Sequence, residues 1–281
     1  MLIGYSSRWM FRGREMSIFE EEEFAHSLGF QVFALNLDRK QNRRLRHREL
    51  VQLREQASRH KMRLAVRFPH HLNTSVKSKK LVDEIKRGIR IATVLGADRL
   101  MVHPGCILQS LELDFKTSKS YRGRKRGWFN ISEEQIAEQF NQLIFNLHYL
   151  VTHAGWYKIR VALENNAMPY QFGSNLKEYC RILESVKGLK ASISTGHAHI
   201  SRNSVYTFIS RCRGRIINLD LHDNNGRRDS HLAVGDGNIK FRRILRGLKN
   251  KRGLTVLVDT YTNRGVERSV ENLRKILSSI H

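Results

Sequence analysis

Residues 159–166 read IRVALENN, and this stretch decides the fold of the chain. Residues 159–163 are apolar except for Arg160, and two of them are β-branched, a composition typical of a buried strand. The run ends in Glu164, Asn165 and Asn166, so a carboxylate and two amides follow the strand directly. The stretch therefore predicts a buried strand with polar groups at its carboxyl end.

Seven further runs of the same kind lie on either side of this stretch, and longer segments with helical spacing separate them. The predicted strands cover residues 2–6, 30–36, 63–68, 99–103, 159–164, 189–194, 216–222 and 254–259. The clearest predicted helices cover residues 18–28, 81–95, 133–151, 175–186, 241–248 and 269–279. The two patterns alternate along the whole chain, as they do in α/β proteins with a parallel sheet.

Eight such units in 281 residues average about 35 residues each, the length of a strand, a crossover helix and their loops. This arithmetic favours a (β/α)8 TIM barrel. Only three prolines and no linker-like tract occur, which favours a single domain over residues 1–281. A doubly wound open sheet is the alternative, but no glycine-rich nucleotide-binding loop follows any predicted strand.

The chain carries 50 Lys and Arg residues against 26 Asp and Glu residues, a formal net charge of +24. Such a surplus fits a polyanionic partner, but it also fits a uniformly basic, soluble surface. The three cysteines are odd in number, which argues against a disulfide framework. The sequence contains neither a long apolar run nor a signal peptide. We therefore expect a monomeric cytoplasmic protein without membrane contact.

Polar or ionisable residues end six of the eight predicted strands. The carboxyl ends of barrel strands meet at one mouth, so these side chains should converge there. Imidazole and carboxylate groups without a cysteine ligand suit zinc, manganese or iron. Asp229 and His231 add two ligand types on one side of an extended segment. The other candidates, at the strand ends or just beyond, are His70, His103, Glu164, His197, Asp220 and Asp259.

Seven motifs occur in order at these strand ends and carry a family resemblance. They are FALNLDRKQNRR (33–44), FPHH (68–71), VHPG (102–105), ALENN followed by FGSN (162–166 and 172–175), STGHAH (194–199), LDLHDNNGRRDSHLAVGDGNI (219–239) and LVDT (257–260). In this order they resemble the endonuclease IV family of apurinic/apyrimidinic endonucleases (AP endonuclease family 2), within the xylose isomerase-like TIM barrel superfamily. The similarity runs from Gly4 to about Leu277.

The resemblance implies two sets of metal ligands that this sequence retains in full. One metal would lie between the histidines that follow the third and fourth strands, with the fifth-strand carboxylate bridging to a second metal. A third metal would be held by ligands that follow the sixth and seventh strands. The first set is His70, His103 and Glu164, and the other set is His197, Asp229 and His231.

The second metal is where the sequence departs from the endonuclease pattern. The family's other ligands at this metal are matched by Ser194, Asp220 and Asp259, so that Glu164 alone is unchanged. Sugar isomerases and epimerases of the same superfamily rest their single metal on these same four positions. His222, two residues beyond Asp220, could substitute as a ligand. Because the nuclease-specific ligands are present and the isomerase site is altered, the pattern favours the nuclease branch.

The resemblance therefore implies a metal-dependent phosphodiesterase that cuts DNA at abasic sites in DNA repair, with Glu164 as the catalytic carboxylate. Two or three divalent ions are expected, with zinc as the first expectation and manganese or iron as alternatives. Two other functions stay open. The chain could be a barrel that binds nucleic acid but has lost catalysis, or a sugar or sugar-phosphate isomerase or epimerase of the same superfamily.

Two basic clusters on loops at the predicted mouth point to nucleic acid as a partner, with DNA expected first and RNA as the alternative. The first cluster follows the second strand. The second lies in a long loop after the fourth strand, where aromatic residues that could stack on bases stand among the cations. The expected contacts are Arg39, Lys40, Gln41, Arg43 and Arg44 in the first cluster, and Lys119, Tyr121, Arg122, Arg124, Lys125, Arg126 and Trp128 in the second.

Overall fold

The computed structural model of the chain describes residues 1–8, 14–108, 110 and 129–280. Eight parallel strands form a closed barrel in chain order, and the first strand pairs with the eighth. The strands are β1 (Leu2–Ser6), β2 (Val32–Asn36), β3 (Arg63–Arg67), β4 (Arg99–Val102), β5 (Arg160–Glu164), β6 (Lys190–Ser194), β7 (Ile216–Leu221) and β8 (Thr255–Val258).

This architecture confirms the predicted single-domain TIM barrel. Every strand begins within two residues of its predicted start and ends within one residue of its predicted end. The agreement is close because parallel strands covered by helices are short apolar runs, and polar residues mark where each run leaves the sheet.

The helices pack around the barrel and follow the predicted segments in most places. α10 begins six residues before its predicted start at 269, because the Thr262 side chain accepts a hydrogen bond from the Gly265 N–H at 3.0 Å and caps the helix. Four helices, α2, α3, α7 and α8, lie outside the predicted segments. The helices are α1 (Ile18–Ser27), α2 (Lys40–Arg43), α3 (His47–Arg59), α4 (Lys79–Leu95), α5 (Glu133–Trp156), α6 (Leu176–Ser185), α7 (Thr195–Ile200), α8 (Val205–Cys212), α9 (Phe241–Leu248) and α10 (Asn263–Ser278).

Alternation along the strands decides which side chains point into the barrel. A small apolar layer fills the interior, separate from the larger core between strands and helices. Arg67, Glu164 and Asp259 each stand two residues beyond a member of this layer, and strand side chains repeat their direction every second residue. These ionisable groups therefore point to the barrel axis at the mouth. The interior layer is Val32, Ala34, Ala65, Met101, Ala162, Ile217 and Leu257.

All three cysteines lie in the described part of the chain and none forms a disulfide, and two of them are neighbours on the outer layer. The Sγ atoms of Cys180 on α6 and Cys212 on α8 lie 4.0 Å apart. Burial and the neighbouring Cys180 raise the pKa of the Cys212 thiol to about 12. Cys212 is therefore protonated at neutral pH. Among the described residues, no helix combines the length and the apolar composition that a membrane span needs.

Candidate metal centre at the barrel mouth

Three carboxylates converge on the barrel axis at the mouth, and an arginine lies between them. We call Glu164, Asp220 and Asp259 the axial carboxylates. Arg67, the last residue of β3, donates from Nη1 to Asp220 Oδ1 at 2.7 Å and to Asp259 Oδ2 at 3.3 Å. Its Nη2 donates to both oxygens of Glu164, at 3.1 and 2.9 Å. A single buried guanidinium thus connects strands β3, β5, β7 and β8.

The electrostatics of this group are those of a cation enclosed by buried carboxyl groups. Burial by itself would lower the pKa of Arg67, but Asp220, Glu164 and Asp259 raise it above its usual value. Burial raises the pKa of Asp220 well above its usual range, although Arg67 opposes the rise. An arginine does not lose its proton in proteins. The guanidinium is therefore a permanent positive charge on the barrel axis.

The structure places the predicted ligands of the second metal around Arg67. Asp220 and Asp259 are predicted as metal ligands, but in the structure both pair with Arg67. Arg67 is absent from the predicted site residues, although it follows the buried apolar run Leu64–Val66 and directly precedes the FPHH motif. A basic residue at that position is the signal that could have identified it, because the end of a barrel strand is where functional side chains gather.

A second group of ligand-type side chains lies on the β6–β7 side of the mouth. His197, His222, Asp229 and His231 bring one ligand atom each within 4.8 Å of one another, and we call them the histidine centre. The Nε2 atoms of His197 and His231 lie 3.3 and 3.5 Å from Asp229 Oδ2. The Nδ1 atom of His222 lies 3.4 Å from Asp229 Oδ1. Asp229 is thus surrounded by three imidazoles.

Each imidazole of the histidine centre is oriented by a hydrogen bond from its other ring nitrogen. His197 Nδ1 donates to the Asn165 carbonyl at 2.9 Å, and His231 Nδ1 donates to the Asp259 carbonyl at 3.1 Å. A carbonyl oxygen only accepts, so Nδ1 carries a proton in both rings, and Nε2 is the nitrogen that can bind a metal once it has lost its own proton. His222 Nε2 pairs with Ser194 Oγ at 2.9 Å. Metal-binding histidines are typically held in this way.

Two polar atoms show that a divalent ion fits the histidine centre. His222 Nδ1 and Asp229 Oδ1 are buried and have no hydrogen-bond partner among the described residues. Unsatisfied buried polar atoms are costly, and an ion shared by the two groups would satisfy both. Three imidazoles and one carboxylate are ligand types that zinc prefers, and four is its usual coordination number. The residues of this centre therefore fit a divalent metal, with zinc favoured by the ligand types.

The pKa values within the histidine centre are set by burial and by the contacts between Asp229 and its three histidines. Burial alone would lower the pKa of His197, but Asp229 raises it to about 9, with help from Glu164. The three neighbouring histidines hold the pKa of Asp229 well below its usual range despite its burial. Burial and the neighbouring His231 lower the pKa of His222 well below its usual range. Asp229 is thus ionised at neutral pH, which is the form that binds a metal.

The backbone around the histidine centre is shaped for these rings. His231 adopts a left-handed conformation with φ of 46°, which is uncommon for a residue other than glycine. At Gly196 a Cβ atom would lie 2.0 Å from the Cε1 atom of His222. Only glycine lets α7 approach the ring so closely. Strained or crowded backbone of this kind gathers at functional sites.

The predicted first metal site is only partly assembled. His103 Nε2 lies 3.6 Å from Glu164 Oε2, and His197 Nδ1 lies 3.8 Å from Glu164 Oε1. These three residues form a second converging group, although it shares His197 with the histidine centre. His70 lies outside both groups, with its ring centroid 4.0 Å from that of His103. Burial lowers the pKa of both His70 and His103 well below the usual range.

His222 lies in a different group from the one in which the sequence places it. It was considered as a substitute ligand for the second metal, but the structure puts it beside Asp229. Ser194, which stands where the endonuclease family has an aspartate, holds the ring of His222. The replacement of that aspartate by serine thus coincides with a fourth ligand-type side chain at the neighbouring centre.

The residues predicted to contact nucleic acid have mixed environments. Arg39 is buried and donates to Glu21 Oε2 at 2.7 Å. Arg43 donates to the Leu37 carbonyl at 3.0 Å. Lys40, Gln41 and Arg44 are exposed on the same segment, and nucleic-acid contact by this segment stays a prediction. The predicted contacts of the second cluster, Lys119, Tyr121, Arg122, Arg124, Lys125, Arg126 and Trp128, lie outside the described residues.

The fold and the mouth define a TIM barrel of the xylose isomerase type. A family model described as "Xylose isomerase-like TIM barrel" matches residues 23–276, and the chain belongs to this family. It is 30% identical over 190 residues to the uncharacterized protein MJ1311 of Methanocaldococcus jannaschii, covering 64% of this chain and 56% of that protein. It is 23% identical over 201 residues to the uncharacterized protein MJ1614 of the same organism, covering 70% of this chain and 68% of that protein. The chain thus spans little more than half the length of MJ1311.

Solved structures with the same fold are mostly sugar epimerases. A D-tagatose 3-epimerase-like protein is similar with a TM-score of 0.81 and 22% identity, covering 100% of this chain and 98% of the other. L-ribulose 3-epimerase follows with a TM-score of 0.74 and 14% identity, covering 99% and 96% of the two chains. The TTHB071 protein of Thermus thermophilus, soaked with ZnCl2, has a TM-score of 0.70 and 18% identity, with 99% of both chains covered.

These findings overturn the predicted DNA endonuclease. The superfamily part of the resemblance is confirmed, but the similar structures are mostly sugar epimerases and give no support to the endonuclease IV branch. The predicted roles in phosphodiester hydrolysis and DNA repair are therefore wrong. The motifs at the strand ends identify the superfamily, and they do not separate its branches.

Proposed function

We propose that the protein is a metal-dependent isomerase or epimerase that acts on a sugar-type substrate, a small polyhydroxylated carbonyl compound. The observation that carries the proposal is the histidine centre at the barrel mouth, where four ligand-type side chains converge next to a buried carboxylate, Glu164. The similarity of the fold to sugar epimerases supports the same class of reaction.

The histidine centre would hold the metal in this proposal. A divalent ion bound there supplies Lewis-acid chemistry, which polarises a carbonyl and makes the neighbouring C–H group more acidic. Hydrogen bonds from the ring nitrogens to protein carbonyls fix His197 and His231, so little rearrangement is needed on metal binding.

Two residues next to the histidine centre are candidates for moving the substrate proton. His103 donates from Nδ1 to Asn166 Oδ1 at 3.0 Å, because the Asn166 amide nitrogen already donates to two carbonyls. The Nε2 atom of His103 is therefore free to accept a proton. Glu164 lies 3.6 Å from this nitrogen, and Arg67 holds both of its oxygens. A base within reach of the substrate is the geometric requirement for such proton transfer.

Deuterium exchange tests the reaction class before the exact substrate is known. Protein loaded with Zn²⁺, Mn²⁺ or Co²⁺ is incubated in D2O with ketopentoses, ketohexoses and their phosphates. Proton NMR and mass spectrometry then measure deuterium at the carbon next to the carbonyl. We expect exchange with at least one compound, its loss on chelation, and its loss in Asp229→Asn. The proposal fails if protein with bound metal exchanges no compound of the panel.

A further inference from the structure

The axial carboxylates differ from Asp229 in that all three accept hydrogen bonds from Arg67, and protein donors occupy both oxygens of Glu164 and of Asp220. Both oxygens of Glu164 accept hydrogen bonds from Arg67. Asp220 accepts from Arg67 at Oδ1, and at Oδ2 from Ser192 Oγ at 3.2 Å and Asn218 Nδ2 at 3.1 Å. A divalent ion could enter this position only by displacing the guanidinium and its hydrogen bonds. The axial carboxylates therefore do not fit a metal while Arg67 is in place.

Arg67 is well suited to remain in this position. It lies at the inward-pointing end of β3, and its Nη1 also donates to Ser6 Oγ at 3.2 Å on β1. Its side chain is 8% exposed, so water hardly competes for its donors. A guanidinium offers a planar set of N–H groups that matches several carboxylates at once. Unlike a metal ion, it cannot dissociate from the protein.

We propose that Arg67 takes the place of a divalent metal ion among the axial carboxylates, so that the histidine centre alone binds metal at the described part of the mouth. The axis then has a fixed positive charge that does not depend on metal supply. Substrate oxygens can coordinate a metal only on the β6–β7 side of the barrel, where the histidine centre lies. The inference concerns metal occupancy and holds whatever reaction the protein catalyses.

Metal content in a background without a functional histidine centre tests this inference. The single variant Asp229→Asn removes the carboxylate around which that centre is built. The double variant carries Asp229→Asn and Arg67→Met together. Each protein is dialysed against Mn²⁺ and measured by mass spectrometry and by electron paramagnetic resonance. We expect no ion at the mouth of Asp229→Asn and one ion per chain in the double variant. Adding Asp220→Asn to the double variant should remove that ion again.

The matched control is Arg67→Lys in the same background, which keeps a cation on the axis and should gain no Mn²⁺. An ion in Asp229→Asn that Asp220→Asn removes would show that the axis binds metal beside Arg67, and the inference would be overturned. A folded double variant that gains no ion would overturn it as well. If Arg67→Met prevents folding, the Mn²⁺ content of Asp229→Asn is compared with that of Asp229→Asn/Asp220→Asn. Both proteins keep Arg67, so the comparison still shows whether the axial carboxylates bind metal beside the arginine.

Discussion

The mouth of the barrel contains two charged groups side by side, and they are built in opposite ways. The axial carboxylates surround a guanidinium, and the oxygens of Glu164 and Asp220 accept hydrogen bonds from protein donors. In the histidine centre, Asp229 Oδ1 and His222 Nδ1 face each other at 3.4 Å without a hydrogen bond. Arg67 and other protein donors satisfy the first group, whereas the second contains two buried polar atoms that an ion would satisfy. The presence of carboxylates and histidines therefore does not by itself identify a metal site; buried polar atoms without a protein partner are a further criterion.

The largest expected effect is on stability, when the axial group loses its cation. Arg67→Met should lower the free energy of unfolding by about 3–5 kcal/mol, because it leaves buried carboxylates without a partner. Urea denaturation measures the loss. The control is Arg14→Met, which removes the ion pair between Arg14 and Glu20. The Arg14 side chain is 82% exposed, and surface ion pairs of this kind contribute little to stability. Equal losses in the two variants would contradict the structural role of Arg67.

Asp229→Asn should weaken metal binding at the histidine centre on the order of a hundredfold or more, since even residues that merely orient metal ligands affect affinity by about 10–100-fold. Competition with a zinc-binding dye measures the affinity. Asp236→Asn is the matched control, because Asp236 is paired with Arg268 away from the centre. Unchanged zinc affinity in Asp229→Asn would show that the metal binds elsewhere.

Gly196→Ala should weaken metal binding by about tenfold or more, because the new methyl group would displace the ring of His222. Isothermal titration with Zn²⁺ measures the change. Gly155→Ala provides the control, since a Cβ atom at Gly155 meets nothing within 4 Å. If Gly196→Ala binds Zn²⁺ like the wild type, His222 is not a ligand.

The smallest change at any one step is the pH dependence of metal affinity, at no more than about tenfold per pH unit. The pKa of His197 is raised to about 9 by Asp229, so at pH 7 its proton must leave before Nε2 can bind a metal. Affinity should therefore rise by up to about tenfold per pH unit between pH 7 and 9, and level off above. Titrations in buffers of different ionisation enthalpy count the released protons. An affinity that is constant over this range would contradict the protonation of His197.

The basic surplus shows why composition alone could not assign a partner. Arg39 and Arg43, which the sequence placed among nucleic-acid contacts, also make hydrogen bonds within the protein. Lys40, Gln41 and Arg44 are exposed, and their contact with nucleic acid stays a prediction. A charge count does not distinguish a cation that binds a buried glutamate from one that faces solvent, because that difference depends on tertiary packing.

The sequence by itself determined the strands, the barrel and the position of the mouth. Short apolar runs with polar ends are a local property, so IRVALENN and its seven counterparts could be found without a structure. The same pattern placed His197, Asp229 and His231 together, because strand ends of a barrel converge.

Only the tertiary structure decided what these groups do. Arg67 precedes a recognised motif, but nothing in its spacing shows that its long side chain crosses the axis to three other strands. His222 joins the histidine centre because Gly196 lets α7 pack against its ring and the Ser194 hydroxyl fixes the ring by a hydrogen bond to Nε2. Both outcomes depend on distances between strands that are far apart in the chain. Barrel closure fixes those distances, and local sequence patterns do not encode them.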